Sequence, residues 1–509
     1  MVYVENPILP GCYPDPSICR VGEYYYLVTS TFEVFPALPL FRSRDLVTWE
    51  QIGHAIDRPD QMSFDGVKSS QGIFAPTIRH YDGVFYLVCT LVGTPEGTPG
   101  GNFLITATDP AESWSDPIWL DADGIDPSIF FDTDGTVWIH GTRLAEDPEW
   151  RQQTEVWLRQ YDPQQEVLRG PETVIWTGAL KGGIWAEAPH LFRKDGEYFL
   201  LAAEGGTAHH HSVMIAKSDN LTGPYRGNPG NPILTHRHLG RHCDVVGAGH
   251  ADLVEASDGT WWAVLLGMRT YGGYHYNLGR ETFLTPVVWE DGWPIFAPGE
   301  GRVPHRVYVP GAEARESAPP LSGVIPPGDQ RWTALRGPID SFAQPVGEGW
   351  EIAVRPTRIT EPSTPAFLGV RQQHMDVDIT AKVITDQLEA GERTGLLIRQ
   401  SESDHATVEI HRGHHGDTAR VTHRQAGQHS ILHEEPVEAS QKVTLGLRAR
   451  GQDYQLTING ASIGSIDGRL LDTVSTGGFL GLWIGVFATS DGAATTSTVT
   501  LTSFEYTAR

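Results

Sequence analysis

One short pattern recurs five times in the first 300 residues, and no other feature of the sequence constrains the fold as much. Asp15-Pro16-Ser17-Ile18 leads into Gly22-Glu23-Tyr24-Tyr25-Tyr26-Leu27, and Ala75-Pro76-Thr77-Ile78 into Asp82-Gly83-Val84-Phe85-Tyr86-Leu87. Asp126-Pro127-Ser128-Ile129 leads into Asp134-Gly135-Thr136-Val137-Trp138-Ile139. Ala188-Pro189-His190-Leu191 leads into Asp195-Gly196-Glu197-Tyr198-Phe199-Leu200, and His250-Ala251-Asp252-Leu253 into Asp258-Gly259-Thr260-Trp261-Trp262-Ala263. The starts lie 60, 51, 62 and 62 residues apart. A period of this size marks a modular architecture. Each copy reads as a β-hairpin, with Asp-Gly suited to a tight turn whose two central residues need positive φ. Another strand pair follows in each unit, as in 40–46 and 49–52. Helical periodicity is not sustained anywhere in the region. Four strands per unit and five units predict an all-β chain that opens with a five-bladed β-propeller over residues 1–305.

In a propeller the first strand of each blade lines the axis, so the five starts become neighbours around one ring. They are Asp15, Ala75, Asp126, Ala188 and His250, with Phe74 and Glu187 just before two of them. After residue 305 the composition changes. Prolines 310, 319, 320, 326 and 327 predict an extended linker over 306–335. Beyond it, 375–383, 395–399, 406–410, 443–450 and 454–458 alternate with period two, which predicts a jelly-roll-like β-sandwich over 336–509.

Charge narrows the partners. The 509 residues carry 38 Lys+Arg against 63 Asp+Glu, a net charge of −25. Such a surface repels phosphate backbones, anionic membranes and acidic polysaccharides, so no nucleic-acid partner is expected. No run of 18 apolar residues occurs, so no membrane span is expected. The N-terminus lacks a basic region and an apolar stretch, and four cysteines without a CxxC are sparse. Both features point to a cytoplasmic protein with reduced thiols, although Cys12 and Cys19 flank one motif and are placed to pair in an oxidising compartment.

Converging carboxylates on a concave β-scaffold suit glycoside hydrolysis, in which an acid protonates the leaving oxygen and a carboxylate activates water or attacks directly. Asp15 is held stiff between Pro14 and Pro16. Glu187 sits among apolar residues in Trp185-Ala186-Glu187-Ala188-Pro189, where burial raises a carboxyl pKa and keeps it protonated. A lone Asp-Pro is ordinarily a turn. Three carboxylates in register across five units make that reading weak.

The motifs Tyr13-Pro14-Asp15-Pro16-Ser17, Gly124-Ile125-Asp126-Pro127-Ser128 and Trp185-Ala186-Glu187-Ala188-Pro189-His190-Leu191 together resemble glycoside hydrolase family 43. Gly249-His250-Ala251-Asp252-Leu253-Val254 and Gly279-Arg280-Glu281-Thr282-Phe283-Leu284 extend the resemblance over essentially the whole chain. It implies an inverting exo-enzyme of the β-xylosidase or α-L-arabinofuranosidase kind, acting on short plant-cell-wall oligosaccharides. Asp15 is then the general base, Glu187 the general acid, and Asp126 the carboxylate that orients Glu187 and holds its pKa up. Arg280 reaches substrate hydroxyls, Phe32, Phe74 and Ile125 line the sugar pocket, and His250 lies on its floor. The resemblance further implies that Phe479, on a loop of the C-terminal sandwich, closes the pocket, against the plainer reading of a core Phe. No cofactor is required, though some members hold a hydrated calcium at the position of His250, and a homo-oligomer is compatible with the family. Phe74 stands where many relatives have Trp, which points to a reshaped pocket.

Weaker features have plainer readings. His209-His210-His211 reads as a surface loop before a +1 subsite. His236, His238, His242, Cys243 and Asp244 lack zinc spacing. Asp132-Thr133-Asp134-Gly135 reads as a turn, and His411, His414 and His415 as exposed. Two other function classes compete. Retaining, sucrose-acting propellers carry a nucleophilic Asp in Asn-Asp-Pro-Asn-Gly, where this chain has Tyr-Pro-Asp-Pro-Ser. A non-catalytic sugar-binding propeller would lack one of the carboxylates.

Overall fold

The computed structural model describes residues 3–310, 322–437 and 442–509. Pro319 and Pro320 of the expected linker lie outside the described residues. The chain is all-β, with one short helix, Thr473–Thr476, among the described residues.

Residues 17 to 296 form five separate antiparallel sheets taken in chain order. The third is typical: Ile125–Phe131, Val137–Leu144, Thr154–Asp162 and Val167–Trp176 pair consecutively. The leading strands of the five sheets are Ser17–Val21, Thr77–Tyr81, Ile125–Phe131, Glu187–Lys194 and Val245–Glu255. Each of these strands touches the next, and the last touches the first, so the sheets close a ring. The aromatic-rich second strands explain what binds the ring together. Apolar cores span neighbouring sheets: one holds Tyr26 with Phe85, one Val88 with Ile129, one Phe130 with Leu200, one Phe199 with Phe283, and one Val264 with Leu27. Tyr3–Glu5 pairs with Arg306–Tyr308 and ties the two ends of the ring region.

The hairpin turns differ from expectation in two units. Asp82-Gly83 and Asp195-Gly196 are two-residue turns with both residues at positive φ, as expected. At Asp134-Gly135 and Asp258-Gly259 only the glycine has positive φ. There the loop is longer, Phe131 pairing with Val137, and the Asp side chain accepts hydrogen bonds from the following Thr amide and hydroxyl. The Asp side chain therefore closes the turn that a second positive φ would otherwise make.

The C-terminal region is a sandwich of two antiparallel sheets. One contains Ala343–Val346, Gly349–Ala353, Thr498–Ala508, Asp376–Ile384, Lys442–Arg450, Asp453–Ile458 and Ala461–Asp467, with Ser322–Val324 added beside Thr498–Ala508. The other runs Phe367–Arg371, Trp483–Thr489, Arg393–Arg399, His405–Gly413, Gly416–Gln425, Gln428–Val437. Inward residues of both sheets, such as Ile379, Leu447, Leu396 and Val408, share one core. Trp332, Trp350 and Trp483 are buried, so none offers a stacking surface for sugar.

The sandwich is fastened to the ring. Ala334–Leu335 pairs with Val34–Phe35, and a mixed apolar cluster joins Cys12, Phe32 and Val34 to Phe367, Leu480, Trp483 and Phe487. Beside it, Arg399 Nη1 meets Glu33 Oε1 at 3.1 Å with both side chains fully buried. Cys12 and Cys19 are unpaired and sit in different cores.

Candidate active site

Four of the five ring positions share an uncommon backbone state. Asp15, Asp126, Ala188 and His250 have φ of 56°, 53°, 50° and 48°. For a residue with a Cβ this left-handed conformation costs roughly 1–2 kcal/mol. Strand pairing is irregular at these points, between Ile125 and Ser128, between Glu187 and His190, and around His250. A bulge of this kind re-aims a side chain out of the pleat. Repeated around the ring, it concentrates polar groups at one end of the axis.

Those groups line a cavity of about 90 Å³. Asp15, Asp126, Glu187, His250 and Arg280 contribute its polar wall, and Phe32, Phe74, Ile125 and Phe479 its apolar wall. Every side chain that the sequence proposed for the site is thus at the same cavity. Phe479 comes from the sandwich. It stacks on Phe32 (centroids 5.8 Å, 21°) and meets Phe74 edge-on (6.0 Å, 84°). It is both a lining group and part of the mixed core, because the loop carrying it bridges the two regions. Its amide donates to Ser70 Oγ at 2.8 Å. The Arg280 guanidinium lies over both rings, 5.2 Å from Phe32 and 5.1 Å from Phe479.

The three carboxyls sit in different fields. Asp15 Oδ1 accepts from Arg280 Nη1 at 3.1 Å and lies 3.4 Å from His250 Nδ1, and Oδ2 accepts from Ser30 Oγ at 2.6 Å. Burial alone would raise its pKa; Arg280, His250 and Ser30 outweigh burial and hold it well below the usual carboxylate range. Burial and repulsion from Asp15 raise Asp126 to about 6, against the pull of His250 and the Ala188 N–H, which donates to Asp126 Oδ2 at 3.1 Å. Glu187 is raised well above its ordinary value, first by burial, then by the charges of Asp126 and Asp15. Asp15 is thus biased toward its ionised form and Glu187 toward its protonated form. His250 is raised as well, since Asp15 and Asp126 overcome the effect of burial.

Two further residues line the cavity: Thr207, which the sequence did not single out, and His211, from the histidine run read as a surface loop in preference to a +1 subsite. Thr207 Oγ1 accepts from Arg280 Nη1 at 3.1 Å. His211 is buried, with Nδ1 2.9 Å from the Gly247 carbonyl, so Nδ1 donates and Nε2 remains an acceptor. Burial lowers its pKa to about 4, keeping it neutral. The loop reading therefore fails for His211 while His210 is exposed. The strand Ser212–Ser218, beginning one residue later, was the available signal.

Protein side chains alone do not make up a calcium site at His250. Calcium takes six to eight oxygen ligands. His250 offers one imidazole, whose Nδ1 faces Asp15, and no group of three His, Cys, Asp or Glu suited to a metal occurs among the described residues. His236 in the other histidine cluster is structural: Nδ1 meets the Val245 carbonyl at 2.7 Å and Nε2 accepts from Val303 N at 2.9 Å.

A family model described as Glycosyl hydrolases family 43 matches residues 4–294. The chain belongs to this family. A second model, the beta xylosidase C-terminal Concanavalin A-like domain, matches residues 327–507. This family 43 protein is 37% identical over 520 residues to a xylosidase/arabinosidase of Butyrivibrio fibrisolvens, covering 97% of each chain. It is 35% identical over 534 residues to a non-reducing end alpha-L-arabinofuranosidase of Bacteroides ovatus, covering 99% of this chain and 94% of the relative. Among solved structures, a xylan beta-1,4-xylosidase from Bacillus halodurans superposes with a TM-score of 0.91 at 30% identity, over 99% of this chain and 100% of that one. The family 43 protein is a glycoside hydrolase.

Proposed function

We propose that this glycoside hydrolase removes single terminal β-D-xylose or α-L-arabinofuranose units from short oligosaccharides, with inversion at the anomeric carbon. The five sheets act as blades of a five-bladed propeller over 1–305, joined through 306–335 to the sandwich. The observation that carries the reading is the convergence of Asp15, Asp126 and Glu187 on one small cavity capped by Phe479, with Arg280 bonded to Asp15 alone of the three. A cavity closed by a second domain takes one chain end, not the middle of a polymer.

In this reading, Asp15 removes a proton from water as the water oxygen bonds to the anomeric carbon. Glu187 gives its proton to the leaving oxygen as the glycosidic bond breaks. Proton exchange with solvent then resets both groups. Arg280 keeps Asp15 ionised and offers its Nε, which has no hydrogen-bond partner among the described residues, to a substrate hydroxyl. Asp126 keeps Glu187 protonated by repulsion, and its bond to the Ala188 amide fixes it beside the acid. His211 and Thr207 add an acceptor and a hydroxyl to the polar wall.

Relatives named for xylose and for arabinofuranose are similarly close, which supports one pocket for both sugars. The test compares kcat/KM on aryl β-D-xylopyranoside and aryl α-L-arabinofuranoside, with the first-released anomer read by NMR and Asp15→Ala as control. Loss of both activities in the variant and an inverted first product are expected. A retained anomer, or unchanged turnover in the variant, would overturn the assignment.

A further inference from the structure

A second cavity, of about 310 Å³, lies on the outer face of the six-stranded sheet of the sandwich, away from the catalytic residues. Strand alternation accounts for its make-up. Leu396, Ile398, Ala406, Val408, Ala419 and Val421 point into the sandwich core. The intervening residues point outward, and at this end of the sheet they are polar. They are not an ordinary solvated face: Thr407, Glu409, Thr422 and His405 are each at most 5% exposed. His411, expected to be exposed, is half-buried here and lines the cavity, whereas His414 and His415 are exposed.

The floor is ordered before any ligand arrives. Thr407 Oγ1 donates to Glu409 Oε2 at 2.9 Å and lies 2.6 Å from Thr422 Oγ1. Arg393 bridges the two acids of the cleft, bonding Asp491 through two nitrogens (2.8 and 2.9 Å) and Glu409 through a third (2.9 Å). Three further guanidiniums line the walls. Arg358 pairs with Glu361, and Arg420 with Glu434 at 2.8 Å. Arg424 has no acidic partner among the described residues. One of its nitrogens donates to the Gly427 carbonyl, and its buried Nε has no hydrogen-bond partner. The three imidazoles respond to this charge. Burial and then the nearby arginines lower His411 and His429, and burial takes His405 down to about 3. All three favour the neutral form; His411 and His429 each offer a donor and an acceptor, and His405, whose Nδ1 donates to the Ser401 carbonyl, offers an acceptor.

We propose that this cleft binds an acidic saccharide, with the carboxylate of a uronic-acid unit on Arg424. The planar guanidinium fork matches a carboxylate better than any other side chain does. Neutral imidazoles and threonine hydroxyls match sugar hydroxyls. Ile431, 47% exposed at the rim, offers an apolar face to a sugar ring. A cavity of this volume exceeds what a single inorganic ion fills. The other three guanidiniums of the cleft already hold carboxylates, so Arg424 is where an incoming anion meets a cation with no acidic partner among the described residues.

The test uses the full chain carrying Glu187→Gln, so that nothing is hydrolysed. Calorimetric titrations compare xylotriose bearing one glucuronic-acid branch, neutral xylotriose, free glucuronate and inorganic phosphate. The branched acidic oligosaccharide should bind, and Arg424→Gln should weaken it about tenfold or more, the loss expected for a charge-assisted hydrogen bond. Neutral xylotriose should be unaffected by that substitution. In the otherwise unaltered enzyme, Arg424→Gln should leave kcat/KM on an aryl xyloside unchanged, and its melting temperature shows that the fold is intact. Arg420→Gln should weaken binding in the same direction. Equal binding of acidic and neutral oligosaccharides, acidic binding indifferent to Arg424, or phosphate binding as tightly as the branched acid would overturn the proposal.

Discussion

The Glu33–Arg399 pair is the most demanding contact between ring and sandwich, and its removal gives a sharp prediction. Glu33 follows Phe32 directly, and its carboxylate accepts from Ser69 Oγ (2.8 Å) and Ser70 N (3.1 Å) in addition to Arg399 (3.1 Å). Ser70 in turn receives the Phe479 amide. Breaking a buried ion pair from one side costs about 3–5 kcal/mol, because the other charge is left without compensation. The two sides are not equivalent here. Glu33→Gln leaves Arg399 with the Ser69 hydroxyl at 2.7 Å and Glu402 at 3.5 Å, which places the cost near the lower end, about 3 kcal/mol. Arg399→Met strands a carboxylate that is 0% exposed, which places the cost near the upper end, about 5 kcal/mol. The double substitution removes both charges and should cost less than the sum of the singles. Urea titrations followed by aryl-glycosidase activity and by tryptophan fluorescence read it out. Activity should be lost at lower urea than wild type in both singles, furthest for Arg399→Met, with fluorescence of the ring retained at that point. Single substitutions costing under 1 kcal/mol, or costs that simply add, would refute the reasoning.

Four other outcomes follow from the same geometry. Glu187→Gln should lower kcat on substrates with poor leaving groups by about 10²–10⁴, the usual worth of a general acid, and by less on activated aryl glycosides; equal losses on both would count against the acid role. Asp126→Asn removes a charge that raises the Glu187 pKa, so the alkaline limb of the kcat/KM profile should move to lower pH, and an unmoved limb would separate Asp126 from the acid. The same variant should also change stability with a definite sign. Asp126 is raised from 3.8 to about 6, so the stability tied to its protonated form is fully present below pH 3.8 and lost as pH rises through 6. Asp126→Asn should therefore melt higher than wild type above pH 6, by a margin of up to about 3 kcal/mol that vanishes near pH 3, and a variant less stable throughout would contradict this. Finally, Gly481→Ala should lower kcat/KM and ease separation of the sandwich, since a Cβ there would lie 2.5 Å from the Leu278 carbonyl oxygen and 2.9 Å from the Gly279 nitrogen, both backbone atoms. Wild-type kinetics would show that the Phe479 loop tolerates displacement.

How much of this was readable from the chain depends on whether neighbours in space repeat a local signal. The ring and its polar end were legible because each unit announces its own start, so Asp15, Asp126 and Glu187 were placed together without any pairwise information. The left-handed backbone at those starts was not legible. An Asp before Pro reads as an extended or turn residue, and the bulge that re-aims it arises only from pairing with the next strand. Long-range pairs carry no local mark at all. Glu33 and Arg399 are 366 positions apart, and neither has a sequence context that predicts a buried charge. The outer face of the sandwich shows the limit of period-two reasoning. Alternation correctly separates Leu396, Ile398, Val408 and Val421 from their polar neighbours, but polarity alone does not tell a solvated face from a recessed one. Only the approach of 358–360 and Asp491 over the sheet buries Thr407 and Glu409 and turns a polar stripe into a cleft. A chain with this net negative charge then keeps an arginine there without an acidic partner among the described residues, and a carboxylate brought in by a ligand would pair with it.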